Sequence, residues 1–417
     1  MIPGNPFQYR EGVLHCEQVD LSEIAARAGT PCYVYSRAAI LERFLAYHEA
    51  LASVRHMICY AVKANSNLAV LALLAGAGAG FDIVSGGELY RVRQAGAPAS
   101  RVVFSGAGKT AEEIEYALDE GIHSFNAESE EEVRLIDALA ARRGARARVA
   151  LRVNPDIPAQ THPYIATGTR EHKFGMDADQ ALAIWPRAAQ LPHVSLEGLS
   201  CHIGSQLLDP SPILAAADLM LELVREIRGA GFALRTLDLG GGLGVAYRVG
   251  EPRPDVAAFA AALARKVEGQ DLFLILEPGR SIVAEAGVLL TRVLYRKRTG
   301  SKEFVVVDAA MNDLIRPALY QSHHEILPVR LTTCPEILAD VVGPVCETGD
   351  YLARDRRLAN VLPGDLLAVA TAGAYAFVAA SNYNSRPRPP EILVAGDRWR
   401  VVRARETYQD LIRGETP

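Results

Sequence analysis

Three residues that could do chemistry stand where apolar runs of the sequence end. Lys63 follows MICYAV, His202 follows LEGLSC and Glu277 follows LIL. A lysine among apolar residues can be desolvated, which lowers the pKa of its amine and favours the neutral form that forms a Schiff base with an aldehyde. A carboxylate can hold a protonated ring nitrogen, and a histidine can stack on a flat ring or donate a proton. Taken singly, each has an ordinary alternative: a solvated lysine, a core histidine, or an ion pair between Glu277 and Arg280.

A run of glycines offers a binding place for phosphate. Gly240, Gly241 and Gly242 follow the apolar run LDL. Glycines let backbone N–H groups approach a phosphate closely, and the loops after the last two strands of a barrel often bind one. The run does not match G-x-G-x-x-G, and the sequence contains no Walker motif, so a dinucleotide or ATP site is disfavoured. A plain tight turn is the alternative.

A thiol and a carboxylate stand side by side later in the sequence. Cys346 and Glu347 are adjacent in VVGPVCETGD, and Tyr375 lies in TAGAYAF. Such a pair could supply an acid or a specificity contact, although an unpaired cysteine is more often a small buried hydrophobe. The six cysteines of the chain form no C-x-x-C pair and have no histidine at zinc-ligand spacing. The sequence therefore predicts free thiols and no metal site.

Eight apolar runs alternate with helical stretches rich in Ala, Leu, Glu and Arg. They are MICYAVK, GFDIVS, VVFSG, SFNAES, VALRVN, LEGLSCHIG, LDLGGG and LILEPG. Eight strands alternating with helices predict a closed (β/α)₈ barrel, with an open doubly wound sheet as the alternative. In such a barrel the reactive groups lie at the carboxyl ends of the strands. The polar residues at these ends are Lys63, Asp82, Arg152, Asn154, His202, Ser205, the glycine run, Glu277 and Arg280.

The pattern changes after the eighth run. GVLLTRVLYRKRTG, EFVVVDAA, ILADVVG, DLLAVATAGAY, EILVAG and RWRVVRARE resemble strands separated by turn residues. They predict an all-β domain, and the strand-like TPCYVYS near the N-terminus is expected to pack against it. The predicted division is therefore a barrel at 36–283 and a discontinuous β domain at 1–35 and 284–417.

Composition argues for a small-molecule enzyme. The chain has 417 residues, of which 49% are hydrophobic and 22% charged, and a net charge of −5. This balance gives no electrostatic attraction to nucleic acid or to an anionic membrane. The N-terminus lacks a basic segment followed by an apolar run, and the most apolar stretch, 68–81, is too short to span a bilayer. A cytoplasmic protein without nucleic-acid or membrane partners is expected.

Long motifs extend from Thr30 to the C-terminal RETYQDLI. They are YAVKANSNLAVL, GAGFDIVSGGELYR, FSGAGKT, ALRVNPDI, THPYIATG, KFGMD, CHIGSQ, LDLGGGLG, EPGRSIVAEAGVLLTRV, AAMNDLIRPALY, DVVGPVCETGDYL and ASNYNSRPRPPEILV. Together they resemble the bacterial diaminopimelate decarboxylases more than the ornithine and arginine decarboxylases of the same fold.

This resemblance implies a fold type III enzyme that binds pyridoxal 5'-phosphate in its barrel. The activity implied is decarboxylation of meso-2,6-diaminopimelate to L-lysine, the last step of lysine biosynthesis, through a Schiff base with the cofactor. It also implies a homodimer in which the β domain of one subunit helps to build the active site of the other.

The motif positions imply a role for each site residue. Lys63 would bind the cofactor aldehyde, His202 would stack on the ring, and Cys346 would donate a proton. The cofactor residues implied are Lys63, Asp82, His202, Ser205, Gly241, Gly242, Glu277, Gly279, Arg280 and Tyr375, and the substrate residues are Arg280, Arg316, Tyr320, Glu347 and Tyr375.

The sequence departs from the family pattern at a few positions. Ala376 and Val378 replace a more usual Gly and Ser, and QSHH at 321–324 replaces the segment that usually follows Tyr320. The alternatives are a decarboxylase for another basic or D-amino acid, with a changed Arg316, Tyr320 and Glu347 set, or a racemase without Cys346 in this context. A non-catalytic regulatory homologue would be expected to lose Lys63 or Cys346, and both are present.

Overall fold

The structure is a computed structural model that describes residues 6–157 and 173–417. The motif THPYIATG, at 161–168, lies outside the described residues. The described chain divides into two compact units: one comprises 6–42, 246–251 and 282–417, and the other comprises 43–157, 173–245 and 252–281. The domain boundaries at residues 36 and 283 stay a prediction.

The first unit begins with a small antiparallel sheet of β1 (Phe7–Arg10), β2 (Val13–Cys16) and β3 (Val19–Asp20). Helix α1 (Leu21–Ala28) follows at once, because the Asp20 carboxylate accepts the N–H of Ser22, and it ends at Gly29, whose φ is 73°. β4 (Cys32–Ser36) comes next and is buried along its whole length.

The second unit is built on eight parallel strands that close into a barrel. The strands are β5 (His56–Ala61), β6 (Gly80–Ile83), β7 (Val102–Phe104), β8 (Ser124–Ala127), β9 (Ala147–Arg152), β10 (Val194–Ser200), β11 (Thr236–Asp238) and β12 (Phe273–Leu276). Each pairs with the next in sequence, and β12 pairs with β5. All eight predicted runs contribute a strand, so the barrel is confirmed over the open sheet.

Helices alternate with these strands. They are α2 (Arg37–Ala50), α3 (Leu68–Gly76), α4 (Gly86–Gln94), α5 (Ala111–Glu120), α6 (Glu130–Arg142), α7 (Ala178–Ala188), α8 (Ser211–Gly229), α9 (Val256–Val267) and α10 (Arg280–Val283). Several begin where a short polar side chain just after a strand accepts a backbone N–H, as Ser85 does from Glu88 and Ser129 from Glu132. Such caps turn the chain sharply at the carboxyl end of the strand, where the candidate residues stand.

The inside of the barrel has an apolar layer. Met57, Cys59, Val103 and Ile275 form a buried cluster there. Gly80 leaves room for it, since a Cβ at that position would lie 2.9 Å from both the Met57 and the Cys59 sulfur. Ser105 and Glu277 stand two positions beyond Val103 and Ile275, so these polar groups at the carboxyl ends have an apolar layer beneath them.

The rest of the first unit is mostly β-sheet. Its further strands are β13 (Gly287–Thr299), β14 (Lys302–Val307), β15 (Ile326–Pro328), β16 (Glu336–Val342), β17 (Tyr351–Ala359), β18 (Leu366–Val369), β19 (Glu391–Ala395) and β20 (Arg398–Arg403). They run in the order β17-β16-β14-β13-β4-β19-β20, with β18 on β13 and β15 on β18. The short helices are α11 (Arg316–Tyr320) and α12 (Tyr408–Leu411).

This sheet differs from the predicted strands in three places, of which the first is β15, which was not predicted. β17 was missed because its central residues, Arg354 to Arg357, are all charged, and β18 ends at Val369 whereas a strand was predicted to continue to Tyr375. Within the described residues, no helix is both long and apolar enough to cross a membrane.

Candidate active site

Lys63 lies one turn beyond its strand. β5 ends at Ala61, and Lys63 occupies a short 3₁₀ turn at Val62–Ala64. Its ammonium group contacts the carboxylate of Asp82 on β6, the neighbouring strand. The Asp82 side chain is fully buried, whereas 37% of the Lys63 side chain is exposed. Lys63 is therefore held by a buried carboxylate and is still reachable from solvent.

Glu277 belongs to a buried polar network at the carboxyl ends of four strands. Its Oε1 accepts the hydroxyl of Ser105 at 3.1 Å and the side-chain amide of Asn126 at 3.3 Å. The same amide donates to Asp238 Oδ2 at 2.9 Å. Asp238 and Glu277 therefore share the Asn126 amide as a common donor. Two acids are thus held together by neutral donors.

Burial keeps a proton on this pair. Desolvation raises the pKa of Asp238 to about 6, and it raises the pKa of Glu277 well above its ordinary value, with the charges of Asp238 and Asp82 adding to the effect. Two adjacent carboxylates in a poorly solvated place cannot both ionise cheaply. A positively charged ligand placed against Glu277 would remove this cost.

His202 is neutral and fixed in orientation. Desolvation lowers its pKa to about 3, with the nearby charges of Arg152 and Lys63 acting in the same direction. The backbone N–H of Gly241 donates to its Nδ1 at 3.2 Å, which places the ring proton on Nε2. The site therefore contains a flat, uncharged ring.

The glycine run lets three loops meet closely. A Cβ on Gly240 would lie 2.5 Å from the Cys201 carbonyl oxygen, one on Gly241 2.3 Å from that of Glu277, and one on Gly242 2.6 Å from that of Gly204. No side chain fits at these positions, and φ is +111° at Gly242. The loops after β10, β11 and β12 therefore pack backbone against backbone.

Arg280 and Ser205 stand beside this glycine cradle. Arg280 Nη2 donates to Ser205 Oγ at 3.2 Å, and only 6% of Arg280 is exposed. At Gly279 a Cβ would come within 3.0 Å of the Cβ atoms of Ala61 and Ala64, so the EPGR turn packs tightly on the strand that leads to Lys63. A guanidinium and a hydroxyl beside a side-chain-free backbone suit an anion such as phosphate.

This donor set fits pyridoxal 5'-phosphate. An accessible amine, a neutral flat ring, a carboxyl pair that retains a proton and an anion cradle all stand at one end of the barrel. They match the aldehyde, the aromatic face, the ring nitrogen and the phosphate of this compound.

Arg316 anchors a second group of residues, in the first unit. Only 5% of Arg316 is exposed, and its guanidinium lies 5.0 Å from the centre of the Tyr247 ring and 5.9 Å from that of Tyr320. It donates to Ser322 Oγ at 3.2 Å and to His324 Nε2 at 3.4 Å. Since His324 Nδ1 lies 2.9 Å from the Ala370 carbonyl oxygen, Nδ1 carries the proton and Nε2 accepts.

The unusual 321–324 segment therefore has a defined place. Ser322 and His324 orient Arg316, whereas His323 faces Glu325 at 2.8 Å and Arg356 at 2.9 Å. Of the other departures, Ala376 is buried and Val378 is exposed.

Cys346 and Glu347 lie in an exposed loop of the first unit. The Asp350 carboxylate pins this loop, because it accepts the N–H groups of Val345 and Met311, each at 2.7 Å. The hydroxyl of Tyr383 donates to Glu347 Oε2 at 2.8 Å. All six cysteines of the chain are unpaired thiols, and Cys346 and Cys334 are the exposed ones.

Tyr375 has a left-handed backbone, with φ of 54°. Two residues before it stands Gly373, where a Cβ would lie 1.8 Å from the Val283 carbonyl oxygen, so the chain passes too close at that point for any side chain. The predicted site residues thus fall into a barrel set around Lys63, Glu277 and Arg280 and three groups of the first unit around Arg316, Cys346 and Tyr375.

Several residues that orient these groups were not predicted from the sequence. They are Ser105, Asn126 and Asp238 in the barrel, and Tyr247, Ser322, His324, Tyr383 and Asn384 in the first unit. A signal existed for three of them, because Ser105, Asn126 and Asp238 are polar residues near the ends of the runs VVFSG, SFNAES and LDLGGG. Among the described residues, no group of three or more metal-ligating side chains is arranged to hold a metal ion.

The chain matches a known family of pyridoxal-dependent enzymes. Residues 37–284 match the family described as "Pyridoxal-dependent decarboxylase, pyridoxal binding domain". The chain is 55% identical to the diaminopimelate decarboxylase of Pseudomonas aeruginosa over 410 residues, which is 98% of both chains.

Solved structures resemble the chain over nearly its whole length. Diaminopimelate decarboxylase from Helicobacter pylori, complexed with L-lysine, is 43% identical with a TM-score of 0.91, and the match covers 94% of this chain and 98% of that one. The enzyme from M. jannaschii, in co-complex with L-lysine, is 37% identical with a TM-score of 0.95, covering 100% and 99%.

Proposed function

Because the chain belongs to the diaminopimelate decarboxylase family of pyridoxal-dependent decarboxylases, we propose that it converts meso-2,6-diaminopimelate to L-lysine and carbon dioxide. This is the last step of lysine biosynthesis. One observation supports the proposal above all: three groups stand together at one end of the barrel. They are Lys63 in contact with Asp82, the neutral imidazole of His202, and Glu277, which retains its proton beside Asp238.

The cofactor is pyridoxal 5'-phosphate. When bound, it supplies an electron-withdrawing ring that takes up the electron pair left when carbon dioxide departs. Lys63 would bind its aldehyde carbon, with Asp82 holding the charge of the amine. Glu277 would bind the ring nitrogen and His202 the ring face. The phosphate would be held by Ser205, Gly241, Gly242, Gly279 and Arg280, and Tyr375 would contact both cofactor and substrate.

The neutral state of His202 supports its role against the ring. A pKa near 3 leaves the imidazole uncharged at any working pH, so it can lie against an electron-poor ring without repelling the positive charge there. The bond from the Gly241 N–H fixes its plane. His202 would therefore orient the ring and exclude water from one of its faces.

Substrate would be selected through its second carboxylate. We assign this group to Arg316 and Tyr320, together with Arg280. Arg316 is buried and braced by Ser322 and His324, so little side-chain entropy remains to be lost when a carboxylate binds. Glu347 would hold the distal ammonium group, and Cys346 would donate the proton that replaces carbon dioxide on the α carbon.

We further propose that the protein is a homodimer in the cytoplasm. Each active site would be formed by the barrel (36–283) of one subunit and the β domain (1–35 and 284–417) of the other. The exposure of Cys346 and Glu347 supports their meeting a partner. Six unpaired thiols suit a reducing compartment.

Mixing two inactive variants tests the shared site. Lys63→Ala lacks the barrel amine and Cys346→Ala lacks the loop thiol, so each homodimer is inactive. A heterodimer would contain one site with both groups, and activity should return after subunit exchange. No return of activity, with exchange verified by mass spectrometry, would show that each chain completes its own site.

The activity itself is tested by supplying the purified protein with pyridoxal 5'-phosphate and meso-diaminopimelate. Equal amounts of carbon dioxide and L-lysine are expected. The Lys63→Ala protein is the control for non-enzymatic decarboxylation by free cofactor. Release of carbon dioxide without lysine, or equal release by the control, would contradict the proposal.

A further inference from the structure

The carboxylate of Asp238 accepts from the same Asn126 amide as Glu277 and is at least as deeply buried. Only 1% of Asp238 and 9% of Glu277 is exposed. Asp238 ends β11, one strand away from β12, after which Glu277 follows directly. The roles proposed above include Glu277 but leave Asp238 and its partner Asn126 without one.

We propose that Asp238 is a positioning residue that keeps the ring nitrogen of the bound cofactor protonated, by holding a negative charge against Glu277 in an arrangement set by Asn126. The inference rests on the proposed function, since it takes Glu277 to be the group that binds the ring nitrogen.

The hydrogen bonds show which donor each carboxyl oxygen of the two acids accepts from. Asp238 Oδ1 accepts the Gly240 N–H at 2.8 Å, and Oδ2 accepts the Asn126 amide at 2.9 Å. Asp238 thus receives two neutral donors, which favour its charged form. Glu277 Oε1 accepts from Ser105 and Asn126, so the proton of Glu277 belongs on its other oxygen.

The surroundings give this arrangement an electrostatic effect. The pair lies among other ionisable groups, namely Lys63, Asp82 and Arg152, and the buried thiols Cys59 and Cys201. The apolar layer beneath the pair offers no compensating charge. A charged Asp238 therefore raises the proton affinity of whatever stands on the far side of Glu277.

This has a chemical consequence for the cofactor. The ring withdraws electrons strongly only when its nitrogen carries a proton. One carboxylate beside the nitrogen would favour that proton, and a second negative charge behind the first would extend the pH range over which it remains. Asp238 would thus act on the cofactor through Glu277 without contacting it.

The test measures the ring nitrogen directly, in the holoenzyme without substrate. Wild type and variants are loaded with pyridoxal phosphate carrying ¹⁵N in the ring, and the nitrogen chemical shift is followed against pH. Asp238→Asn should lower the pH at which the nitrogen loses its proton by about one unit or more, because a buried negative charge that stabilises the protonated ring has been removed. Asp238→Glu keeps the charge and should retain most of the wild-type behaviour.

Two matched variants separate this effect from general damage. Ser200→Ala changes a buried, uncharged residue that stands opposite Asp238 in the register of β10 and β11. In this variant the ring nitrogen should titrate as it does in the wild type. Asn126→Ala leaves both acids but removes a donor that favours the charged form of Asp238, so it should lower the transition less than Asp238→Asn does. Asp238→Ser serves as the second charge-removing variant if Asp238→Asn does not fold.

An unchanged transition in the charge-removing variants would overturn the inference, as would an equal fall in Ser200→Ala. These outcomes leave the proposed function intact, because the wild type would still bind the cofactor. Wild-type protein that binds no labelled cofactor would instead contradict the proposed function.

Discussion

The side-chain oxygen of Asn384 accepts a hydrogen bond from the backbone N–H of Cys346 at 2.9 Å. Asn384 has a left-handed backbone, with φ of 54°, a conformation that asparagine tolerates better than most residues. The loop that contains Cys346, the proposed proton donor, is therefore bonded to the SNYNSRP segment at Cys346 itself.

Loss of this tie should slow proton delivery more than substrate binding. We expect Asn384→Gly, which tolerates the same φ but has no acceptor, to lower kcat about 3- to 10-fold with little change in KM, as the loss of one partly exposed hydrogen bond predicts. Asn384→Asp keeps an oxygen acceptor and should stay near wild type. A larger effect on KM than on kcat in Asn384→Gly would contradict this account.

Arg316 gives a second prediction, on binding. Arg316→Met should lower kcat/KM for diaminopimelate by at least about 100-fold, because the substrate carboxylate loses a charge-assisted partner in a buried place. The absorbance spectrum of the bound cofactor should be unchanged. His324→Leu removes the acceptor that orients Arg316 and should raise KM, whereas His323→Leu, its neighbour facing Glu325, is the matched control. Equal effects of the two histidine variants would show that His324 does not act through Arg316.

A third prediction concerns the covalent attachment of the cofactor. Borohydride should fix pyridoxal phosphate irreversibly on the peptide that contains Lys63, and the Lys63→Ala protein should carry no such label. Peptide mass spectrometry identifies the modified residue. Label on another lysine of the wild type would show that the end of β5 is not the attachment site.

The Asp238–Glu277 pair gives a prediction on stability. Both acids have folded-state pKa values above their ordinary ones, so the folded protein binds their protons more tightly than the unfolded chain does. Their contribution to stability is present at low pH. It begins to be lost at about pH 4 to 5, near the pKa values of the unfolded chain, and continues to fall until the pH exceeds the raised pKa values of the folded protein.

In cofactor-free protein, Glu277→Gln should therefore gain stability relative to wild type as pH rises, by about 1 kcal/mol per pH unit where one proton is involved. Urea unfolding at several pH values measures the difference. A difference between the two proteins that is constant from pH 5 to 8 would mean that Glu277 does not retain its proton.

The positions of the barrel residues could be predicted because the local sequence indicates the order of the strands and the residues at which they end. Eight apolar runs predicted eight strands, and parallel strands bring all their carboxyl ends to one place. Lys63, Asp82, His202 and Glu277 could therefore be grouped from the order of the runs alone.

Which side chains bond one another could not be predicted in this way. Asn126 meets both Asp238 and Glu277 because β8, β11 and β12 present their ends across the barrel interior, and nothing in the three local sequences states that geometry. His324 reaches Arg316 because Gln321, the residue that follows α11, has a left-handed backbone and turns the chain back. The charged residues of β17 do not resemble a strand, and β17 forms because it pairs with β16.

We propose that this enzyme acts on diaminopimelate and selects it by its second carboxylate. The most direct measurement is kcat/KM for carbon dioxide release from meso-diaminopimelate, L-lysine, L-ornithine and L-arginine by the purified holoenzyme. Substrates without that carboxylate leave buried donors unpaired, so we predict a preference for diaminopimelate on the order of 10⁴ or more. Comparable values for lysine or ornithine would contradict the claim.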